Sequence, residues 1–535
     1  MRRQIFSKRL LVSAVLLSLA LMGSITGQRK GAPLENKLPY VPGELLVKFT
    51  GGAESNFARS VNSIMGTTAV ETLGDNNWQR VKLPDGMSVE SAISGYSLLS
   101  GVDYVQPNYY YHLLATPNDP QFTSSGMYGL TKIAAPAAWD LSTGSSSIVV
   151  ADIDSGMLYT HQDLAPNAWL HTAEANGIAG VDDDANGYID DVRGWDFFYN
   201  VADPTPGGSG GHGTHTAGTI GAAGNNALNV TGVNWNVKIM PLKIYSPLGT
   251  DSTSAMLVNA YAYVRMMKLR GVNIRATNNS YGNCGEACGY DQATKDGIDG
   301  MGEVGVVNVY AAGNDNNNND TNPGISYPSV YTSPSIISVA SSTSTDAKSS
   351  FSSFGLTSVD LAAPGSSVLS TWNTSNTATS TISGTSMATP HVTGAVALLA
   401  SYRPDLSVAS LKASLLNNVD LLPAWSTLVK TGGRLNVFKA MQNPTVCTFN
   451  NGATRIQARA AGGTFLISIP AATNCDYFVK SNNAWVTRNT AEVMSGTNTV
   501  SITVGRNVGM PRTGTVTIGG QIYTIVQGGS GRKGI

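Results

Sequence analysis

Residues 148–156 read Ile148-Val149-Val150-Ala151-Asp152-Ile153-Asp154-Ser155-Gly156, and this stretch decides the fold class. Its apolar part is short, rich in β-branched residues and almost continuous, which is typical of a strand buried on both faces of a parallel sheet. Similar runs alternate with helical stretches over residues 116–443. Strands are predicted at Ile148–Ile153, Val237–Ile244, Ile274–Asn279, Val304–Ala311 and Ile336–Ala340, and helices at Ser254–Leu269, Ser383–Ser401 and Val408–Leu416. The alternation predicts an α/β domain with a mostly parallel central sheet flanked by helices.

Three shorter segments flank this block. Residues 28–115 carry a β-α-β-β-α-β pattern, from a strand at Glu44–Phe49 to an extended end at Val102–Tyr111, which is typical of an α+β ferredoxin-like domain. Residues 446–535 show five runs of polar–apolar alternation separated by turn residues, which predicts an all-β sandwich. Residues 1–27 have a basic start, an apolar run from Leu10 to Met22 and small residues after it. This is the layout of a signal peptide, with an uncleaved membrane anchor as the alternative.

The composition is that of a folded, exported protein. Hydrophobic residues make up 42% of the 535 and charged residues 13%, which excludes a highly charged disordered chain. The formal net charge is −1 and no basic stripe is present, so nucleic acid is excluded as a partner. After the signal, no stretch is long and apolar enough to span a membrane. We therefore expect an extracellular monomer without stable membrane insertion.

The four cysteines also fit export, because an even number in an exported chain permits disulfides. Three connectivities are possible, and free buried thiols are the alternative. We expect the local pairs Cys284–Cys288 and Cys447–Cys475.

Three short motifs carry the residue types of nucleophilic catalysis, in which a serine needs a base and the base needs an orienting group. Ser386 lies in the first turn of a predicted helix, His212 lies between two glycines, and Asp154 follows directly on a predicted strand. Singly, each motif has another interpretation. Ser386 could be a helix N-cap, and His212 could form a metal pair with His215. Asp152 lies on the same side of the strand and could replace Asp154 as the functional acid.

The three motifs together resemble the subtilisin family of serine peptidases over about residues 116–443. They read Asp154-Ser155-Gly156, His212-Gly213-Thr214-His215 and Gly384-Thr385-Ser386-Met387-Ala388-Thr389-Pro390-His391, in the family's order. The segments Thr116–Pro120 and Ala135–Trp139 are most similar to the thermitase branch. The resemblance implies that Ser386 is the nucleophile, that His212 is the general base and that Asp154 orients this base.

The resemblance also implies an oxyanion hole and a substrate-binding surface. Asn314, in Val309–Asn314, would donate to the tetrahedral intermediate beside the Ser386 N–H. Residues 279–282 match the edge strand that pairs with a substrate backbone, although Tyr281 stands where the family often has a smaller residue. The substrate-binding residues implied in this way are Ser280, Tyr281, Gly282, Ala312 and Gly313.

Calcium is the cofactor that we expect, because hard cations take oxygen ligands. The family resemblance implies one site, with side chains of Asp119, Asp163 and Asn226 and carbonyls of Gly224, Leu228 and Val230. A second candidate is the acidic loop of residues 182–191, where alternating positions around Gly187 resemble the first part of an EF-hand loop. Its ligands would be Asp182, Asp184, Asn186 and Asp190. The glutamate that closes such a loop is absent, so a plain acidic turn is an equal alternative.

These features predict a secreted serine endopeptidase made as a zymogen. Residues 28–115 resemble the inhibitory prodomain of these enzymes, which implies that the chain is cleaved between His112 and Ala115. Residues 446–535 resemble BACON-type modules, some of which bind glycans, although Trp485 could equally be a core residue. The alternative function is a catalytically dead scaffold that binds glycans or proteins. A lipase or esterase is excluded because Ala388 replaces the last glycine of the Gly-x-Ser-x-Gly motif.

Overall fold

A computed structural model describes residues 40–531 except 75–76, 111–115, 209, 248–251, 283–288, 450–451 and 453. The predicted signal peptide, the predicted prodomain cleavage between His112 and Ala115, and the predicted pair Cys284–Cys288 lie outside the described residues. The chain divides into two compact units, residues 1–112 and residues 113–535. Within the described part, no helix has the length and apolarity needed to cross a membrane.

The first unit has the predicted β-α-β-β-α-β order. Its elements are β1 (Tyr40–Phe49), α1 (Asn56–Met65), β2 (Thr68–Leu73), β3 (Trp78–Lys82), α2 (Val89–Ser97) and β4 (Val102–Tyr109). The strands form an antiparallel sheet in the order β2-β3-β1-β4. Alternate residues of β1, such as Leu45 and Val47, are buried with Tyr96 of α2, because one face of the sheet packs against both helices. Ser55 caps α1 by accepting a hydrogen bond from the Ala58 N–H at 3.0 Å.

The second unit contains the predicted α/β domain. Its helices are α3 (Tyr128–Lys132), α4 (Ala135–Trp139), α5 (Thr172–Ala175), α6 (His212–Gly221), α7 (Ser254–Leu269), α8 (Gln292–Glu303), α9 (Thr385–Tyr402), α10 (Val408–Asn417) and α11 (Val437–Gln442). Its strands are β5 (Gly144–Asp154), β6 (Trp195–Asp196), β7 (Asn236–Lys243), β8 (Ile274–Asn279), β9 (Val307–Ala311), β10 (Ile336–Ser342), β11 (Leu361–Pro364), β12 (Val368–Thr371), β13 (Thr379–Ile382), β14 (Asp420–Leu421) and β15 (Gly433–Arg434). Nine of the described strands form one sheet, in the order β14-β15-β11-β10-β9-β8-β5-β7-β6, and only β14 runs antiparallel to its neighbour.

Both faces of this sheet are covered, which explains the continuous apolar runs of its strands. Val150 of β5 packs in a core with residues of α6 and α9, whereas the next residue, Ala151, packs in a second core with residues of α7 and α8. Because β5 lies in the sheet interior, its last residue opens onto the carboxyl edge between these two layers.

The C-terminal residues form the predicted β-rich domain. Its strands are β16 (Arg455–Ala458), β17 (Gly463–Ile469), β18 (Asp476–Ser481), β19 (Val486–Arg488), β20 (Val493–Ser495), β21 (Asn498–Val504), β22 (Arg512–Ile518) and β23 (Gln521–Gln527). They form two sheets, in the orders β16-β23-β22-β18-β20 and β17-β21-β19. Alternate residues of each sheet, among them Ile502, Val516 and Tyr523, enclose one apolar core. A disulfide joins Cys447 to Cys475, as predicted.

Candidate active site

Asp154 is fixed by its place at the end of the central strand β5. Its side chain is 2% exposed, and its Oδ1 atom accepts a hydrogen bond from the Ser155 N–H at 2.6 Å. The Nδ1 atom of His212 lies 2.8 Å from Oδ1 and 3.0 Å from Oδ2 of this carboxylate. Asp154, and not the alternative Asp152, is therefore the acid that contacts the histidine.

His212 is the first residue of α6, and its contact with Asp154 sets its tautomer. Because the neighbouring carboxylate only accepts hydrogen bonds, Nδ1 carries the hydrogen and Nε2 is left as the basic atom. Burial opposes the protonated form of the ring, but the charge and hydrogen bond of Asp154 outweigh burial, so the pKa of His212 is raised. The side chain is 37% exposed, which leaves the ring accessible from solvent.

The metal pair suggested for His212 and His215 does not form. His215 is fully buried, and its Nε2 atom lies 3.0 Å from the Val368 carbonyl oxygen. Burial lowers the pKa of His215 to about 3. This histidine is therefore a neutral core residue.

A close approach between α6 and the end of β5 brings His212 to Asp154. A Cβ atom on Gly213 would lie 2.4 Å from the Gly156 carbonyl oxygen and 3.1 Å from Asp154. The Gly213 N–H donates to the Ser155 hydroxyl at 2.9 Å. A glycine after the histidine is thus a steric requirement of the site.

Ser386 is the second residue of α9 and lines the same cavity as Asp154 and His212. Its hydroxyl donates to the Ser280 carbonyl at 3.1 Å, and the Ser280 hydroxyl donates to the Ser386 carbonyl at 2.9 Å. Among the described residues, no hydrogen bond joins Ser386 to His212. Such contacts are often formed only when substrate binds. In the structure, the contact between Asp154 and His212 is therefore already formed, and Ser386 lies in the same cavity without contacting the histidine.

Asn314 is oriented by Thr385, a residue whose role was not predicted from the sequence. The Oδ1 atom of Asn314 accepts hydrogen bonds from the N–H of Thr385 at 2.9 Å and from its hydroxyl at 3.0 Å. The Gly313 N–H in turn donates to the Thr385 hydroxyl at 3.2 Å. With its oxygen occupied, the exposed Asn314 side chain offers its Nδ2 hydrogens to the cavity, as an oxyanion donor must.

The cavity between these groups has a volume of about 320 Å³. Its lining comprises Asp154, Ser155, Gly210, His212, Tyr245, Ser280, Tyr281, Gly282, Ala311, Gly313, Asn314, Thr385 and Ser386. Ala311 lines it in place of the predicted Ala312, which is fully buried in a small apolar cluster. Tyr245 was not predicted, although it directly follows a predicted strand at this edge of the sheet.

The segment of residues 280–282 continues beyond β8. β8, which ends at Asn279, is an interior strand between β5 and β9, whereas the predicted substrate-pairing segment is residues 279–282. Any pairing with a substrate backbone is therefore confined to the three residues after its end. Tyr281 turns inward, is 9% exposed, and donates its hydroxyl hydrogen to Oδ1 of Asn279 at 2.7 Å.

The side chains predicted for the first calcium site come together. Asp119 and Asp163 are both buried, and burial raises the pKa of each carboxyl group. Asp163 accepts from the Asn226 side chain and from the Val230 N–H, both at 3.3 Å. The Oδ1 atom of Asp119 is buried without a hydrogen-bond partner. A buried carboxylate oxygen without a partner is costly, so a cation fits this site.

The second candidate loop is largely satisfied by the protein itself. Asp182 accepts from the Gly187 N–H at 2.7 Å and Asp190 from the Gly180 N–H at 2.8 Å. Asn186 donates to Asp191 at 3.0 Å. These contacts favour the acidic turn over a calcium site built from all four predicted ligands.

One cluster in that loop still has oxygens that could hold a cation. Oxygens of Asp182, Asp184 and Glu174 lie within 4.8 Å of one another. Glu174, in α5, is buried and accepts hydrogen bonds from the N–H groups of residues 183, 184 and 190. Sequence spacing could not identify it, because it lies outside the loop. Arg270 contacts Asp184 at 3.3 Å and already balances part of the charge.

Two parts of the chain match known protein families, and the larger part matches known peptidases. The sequence model of the Subtilase family matches residues 145–456, and that of the Fervidolysin N-terminal prodomain matches residues 27–108. Thermitase of Thermoactinomyces vulgaris is 36% identical over 327 residues, which are 61% of this chain and 99% of that protein. The Thermophilic serine proteinase of Bacillus sp. (strain AK1) is 30% identical over 407 residues, 75% of this chain and 88% of that protein. The Extracellular protease of Xanthomonas campestris is 33% identical over 345 residues, 60% of this chain and 56% of that protein.

Proposed function

Because this chain belongs to the subtilase family, we propose that Asp154, His212 and Ser386 carry out its hydrolysis of peptide bonds. The chain is a serine-type endopeptidase with an N-terminal prodomain. One observation supports the assignment above all: Nδ1 of His212 lies 2.8 Å from Asp154 in a cavity that Ser386 also lines.

In the proposed mechanism, the Ser386 oxygen attacks the scissile carbonyl while Nε2 of His212 takes the hydroxyl proton. The tetrahedral intermediate collapses, the C–N bond breaks, and the imidazolium gives its proton to the leaving amine. A water molecule then loses a proton to His212 and attacks the acyl-enzyme, which releases the acid and restores the serine. Asp154 holds the Nδ1–H tautomer and stabilises the imidazolium. The Asn314 side chain and the Ser386 N–H stabilise the oxyanion.

The variant Ser386→Ala tests this mechanism. It removes only the nucleophile, so we expect a folded protein that does not cleave casein, does not react with a fluorophosphonate and accumulates as the uncleaved precursor. Ser383→Ala is the matched control, because this exposed serine lies three residues earlier and outside the cavity lining. Casein cleavage by Ser386→Ala would refute the assignment. A wild-type protein that fails to react with the fluorophosphonate would instead favour the dead binding scaffold.

We also propose that calcium binds at Asp119, Asp163 and Asn226. The buried, unpartnered oxygen of Asp119 supports this proposal. Further ligands would be the carbonyl oxygens of Gly224, Leu228 and Val230. The ion would neutralise two buried carboxylates and join the start of the peptidase domain to the loop of residues 224–230, without taking part in the reaction.

Chelation tests the calcium site. An ion that binds only the folded state at a concentration 100 times its Kd stabilises the protein by about 2.7 kcal/mol, so excess chelator should lower Tm. In Asp163→Asn, Tm should be low and insensitive to chelator, whereas Asp182→Asn should keep most of the chelator effect. An unchanged Tm of the wild type in chelator would contradict calcium binding.

The other segments of the chain have proposed roles of their own. We propose that residues 1–27 direct secretion, in keeping with the extracellular relative, and that residues 28–115 inhibit the enzyme until they are cleaved off. We propose that residues 446–535 are a BACON-like module. Trp485 packs against its apolar core, with the Arg512 guanidinium 4.1 Å from the ring centre, which favours a structural role for this tryptophan over glycan binding.

A further inference from the structure

A second carboxyl group lies directly behind the candidate triad. Asp152 is two residues before Asp154 on β5, and its side chain therefore emerges on the same face of the sheet. It is 2% exposed, in a part of the domain where α6 and α9 cover the strand. A carboxyl group in such a place is costly unless its neighbours compensate for the loss of water.

The hydrogen-bond partners of Asp152 belong to the elements that carry the site. Its oxygens lie 3.0 and 3.3 Å from the hydroxyl of Thr216, which is one helical turn after His212 on α6. Its Oδ1 atom also accepts from the side-chain amide of Asn278 on β8 at 2.9 Å. One buried carboxyl group therefore contacts both the helix of the general base and the strand that leads to the substrate-binding segment.

The network continues to the nucleophile. The Asn278 amide donates a second hydrogen to the Ser280 hydroxyl at 3.0 Å, and Ser280 donates to the Ser386 carbonyl at 2.9 Å. From α9, the Thr393 hydroxyl donates to Oδ1 of Asn278 at 3.1 Å. The chain of bonds from Asp152 thus reaches all three elements on which the triad is mounted.

The available hydrogens indicate the protonation state of Asp152. Thr216 has a single hydroxyl hydrogen, and the Gly213 carbonyl at 3.0 Å is an acceptor for it in addition to Asp152. If Thr216 donates to Gly213, a protonated Asp152 can donate to the Thr216 oxygen, and every group is satisfied. An ionised Asp152 would receive at most two hydrogen bonds while buried beside the charge of Asp154. In agreement, burial and then the charge of Asp154 raise the pKa of Asp152 well above its usual range.

No cation on the neighbouring elements is free to stabilise an ionised Asp152, among the residues that the structure describes. The acidic, basic and histidine side chains on β5, on its neighbours β7 and β8, and on α6 and α9 are Asp154, His212, His215, His391, Lys238, Lys243 and Arg275. Lys238 and Arg275 lie beside the earlier part of β5, near residues 149–150, and donate to backbone carbonyls, Lys238 to Pro166 at 2.6 Å and Arg275 to Leu406 at 2.6 Å. Burial lowers the pKa of His215 to about 3 and that of His391 to about 4, so both are neutral. Lys243 is paired with Asp196 at 2.8 Å, and His212 with Asp154. On β7 the residue paired with Asp152 is Pro241, and on β8 it is Asn278.

We propose that Asp152 is a positioning residue that stays protonated in the active enzyme, donating to Thr216 and accepting from Asn278. In this form it ties the helix of His212 to the strand before Ser280 without adding a second negative charge next to the histidine. It touches neither substrate nor the reacting atoms. The inference rests on the proposed triad, so the Asp152 variants are compared only with a wild type shown to be active.

The test compares Asp152→Ala with Asp152→Asn, with rates expressed per active site titrated by a fluorophosphonate. Asp152→Ala removes the hydrogen bonds to Thr216 and Asn278 and should displace His212. We therefore expect kcat to fall about 10- to 100-fold with little change in KM. Asparagine can donate and accept like a protonated carboxyl group, so Asp152→Asn should recover most of kcat. If Asp152 is already neutral, this substitution does not change the charge near His212. The acid limb of the plot of kcat/KM against pH should therefore be the same for Asp152→Asn as for the wild type.

Thr216 supplies an independent arm of the experiment. Thr216→Val should lower kcat as Asp152→Ala does, Thr216→Ser should restore it, and the double variant Asp152→Ala/Thr216→Val should lose little more than either single variant. A shift of the Asp152→Asn acid limb to lower pH would show that Asp152 is ionised and would overturn the proposal. A wild-type kcat per titrated site in Asp152→Ala would also overturn it, since Asp152 would then serve stability alone. Failure of the wild type itself to react would instead refute the proposed triad.

Discussion

In two residues of the site, internal hydrogen bonds engage one polar atom of the side chain and leave the other free for a ligand. The N–H and the hydroxyl of Thr385 both donate to Oδ1 of Asn314, and this leaves the Nδ2 hydrogens free for a ligand. The Asp154 carboxylate accepts the Nδ1 hydrogen of His212, and this leaves Nε2 free to act as the proposed base. The Asn314 amide and the His212 ring are therefore already oriented before a substrate binds, and such preorganisation is usually the largest part of electrostatic catalysis.

Asn314→Ala should lower kcat about 10²–10³-fold with little change in KM, a magnitude established for the corresponding donor of subtilisin, the reference enzyme of this family. The reason is that the oxyanion exists in the transition state and not in the bound substrate. Thr385→Val, which only loosens the orientation of Asn314, should cause a smaller loss in the same direction. Steady-state kinetics on a peptide substrate checks both. A raised KM with an unchanged kcat would show that Asn314 binds the ground state instead.

Site residues could be predicted from the sequence where they stand in a short motif, but not where their contact depends on how distant elements pack. The predicted Asp154, His212, Ser386 and Asn314 all line one cavity, because each stands in a short pattern at the end of a strand or the start of a helix. Glu174 reaches the acidic loop from a separate helix, and nothing in its neighbouring residues indicates this contact. Such a residue becomes visible only when the distances between elements are known.

The bounds of helices and strands were also predictable where the signals that set them are local in the sequence. α7 and β8 have the predicted bounds, because Thr253 caps the helix and the strand is uniformly buried. The strand predicted from Val304 begins only at Val307, because α8 runs to Glu303 and Gly305 turns the chain with a φ of 98°. The short strands β11–β15 have two to four residues each and give too little periodicity for prediction.

The packing of α6 against the end of β5 makes Gly213 a sensitive position. A Cβ atom there would meet the Gly156 carbonyl at 2.4 Å, so Gly213→Ala should force the helix away from Asp154. We expect a loss of about 1–3 kcal/mol in the free energy of unfolding, together with a lower kcat. Gly208→Ala is the control, since an added Cβ atom meets nothing within 4 Å there. Chemical denaturation and kinetics would contradict the argument if both variants behaved alike.

At the scale of the second unit, one helix joins the peptidase domain to the C-terminal domain. Side chains of α10 receive hydrogen bonds from the connecting segment, with the Thr445 N–H donating to Ser414 at 2.8 Å and the Cys447 N–H to Ser410 at 3.0 Å. From the same helix, Nζ of Lys412 lies 2.8 Å from Oδ2 of Asp476 on β18, and both side chains are nearly fully buried. The C-terminal domain is therefore held by a buried ion pair as well as by the chain connection.

This ion pair should make the two domains depend on each other for stability. Burial alone would raise the pKa of Asp476, but the charge of Lys412 outweighs burial and the pKa is lowered. The stabilisation by Asp476 is therefore present at neutral pH and is lost as the pH falls through its lowered pKa.

Lys412→Met should destabilise the protein by about 3–5 kcal/mol, because it leaves the Asp476 carboxylate buried without its partner. Asp360, whose Oδ2 atom lies 4.0 Å from the same lysine, would lose a nearby cation as well. The double variant Lys412→Met/Asp476→Leu should recover much of this loss, since it removes both charges. Lys439→Met is the matched control: its pair with Asp420 is half exposed and should contribute about 0–1 kcal/mol. Equal losses in Lys412→Met and Lys439→Met, measured by denaturant unfolding, would show that the buried pair does not hold the domains together.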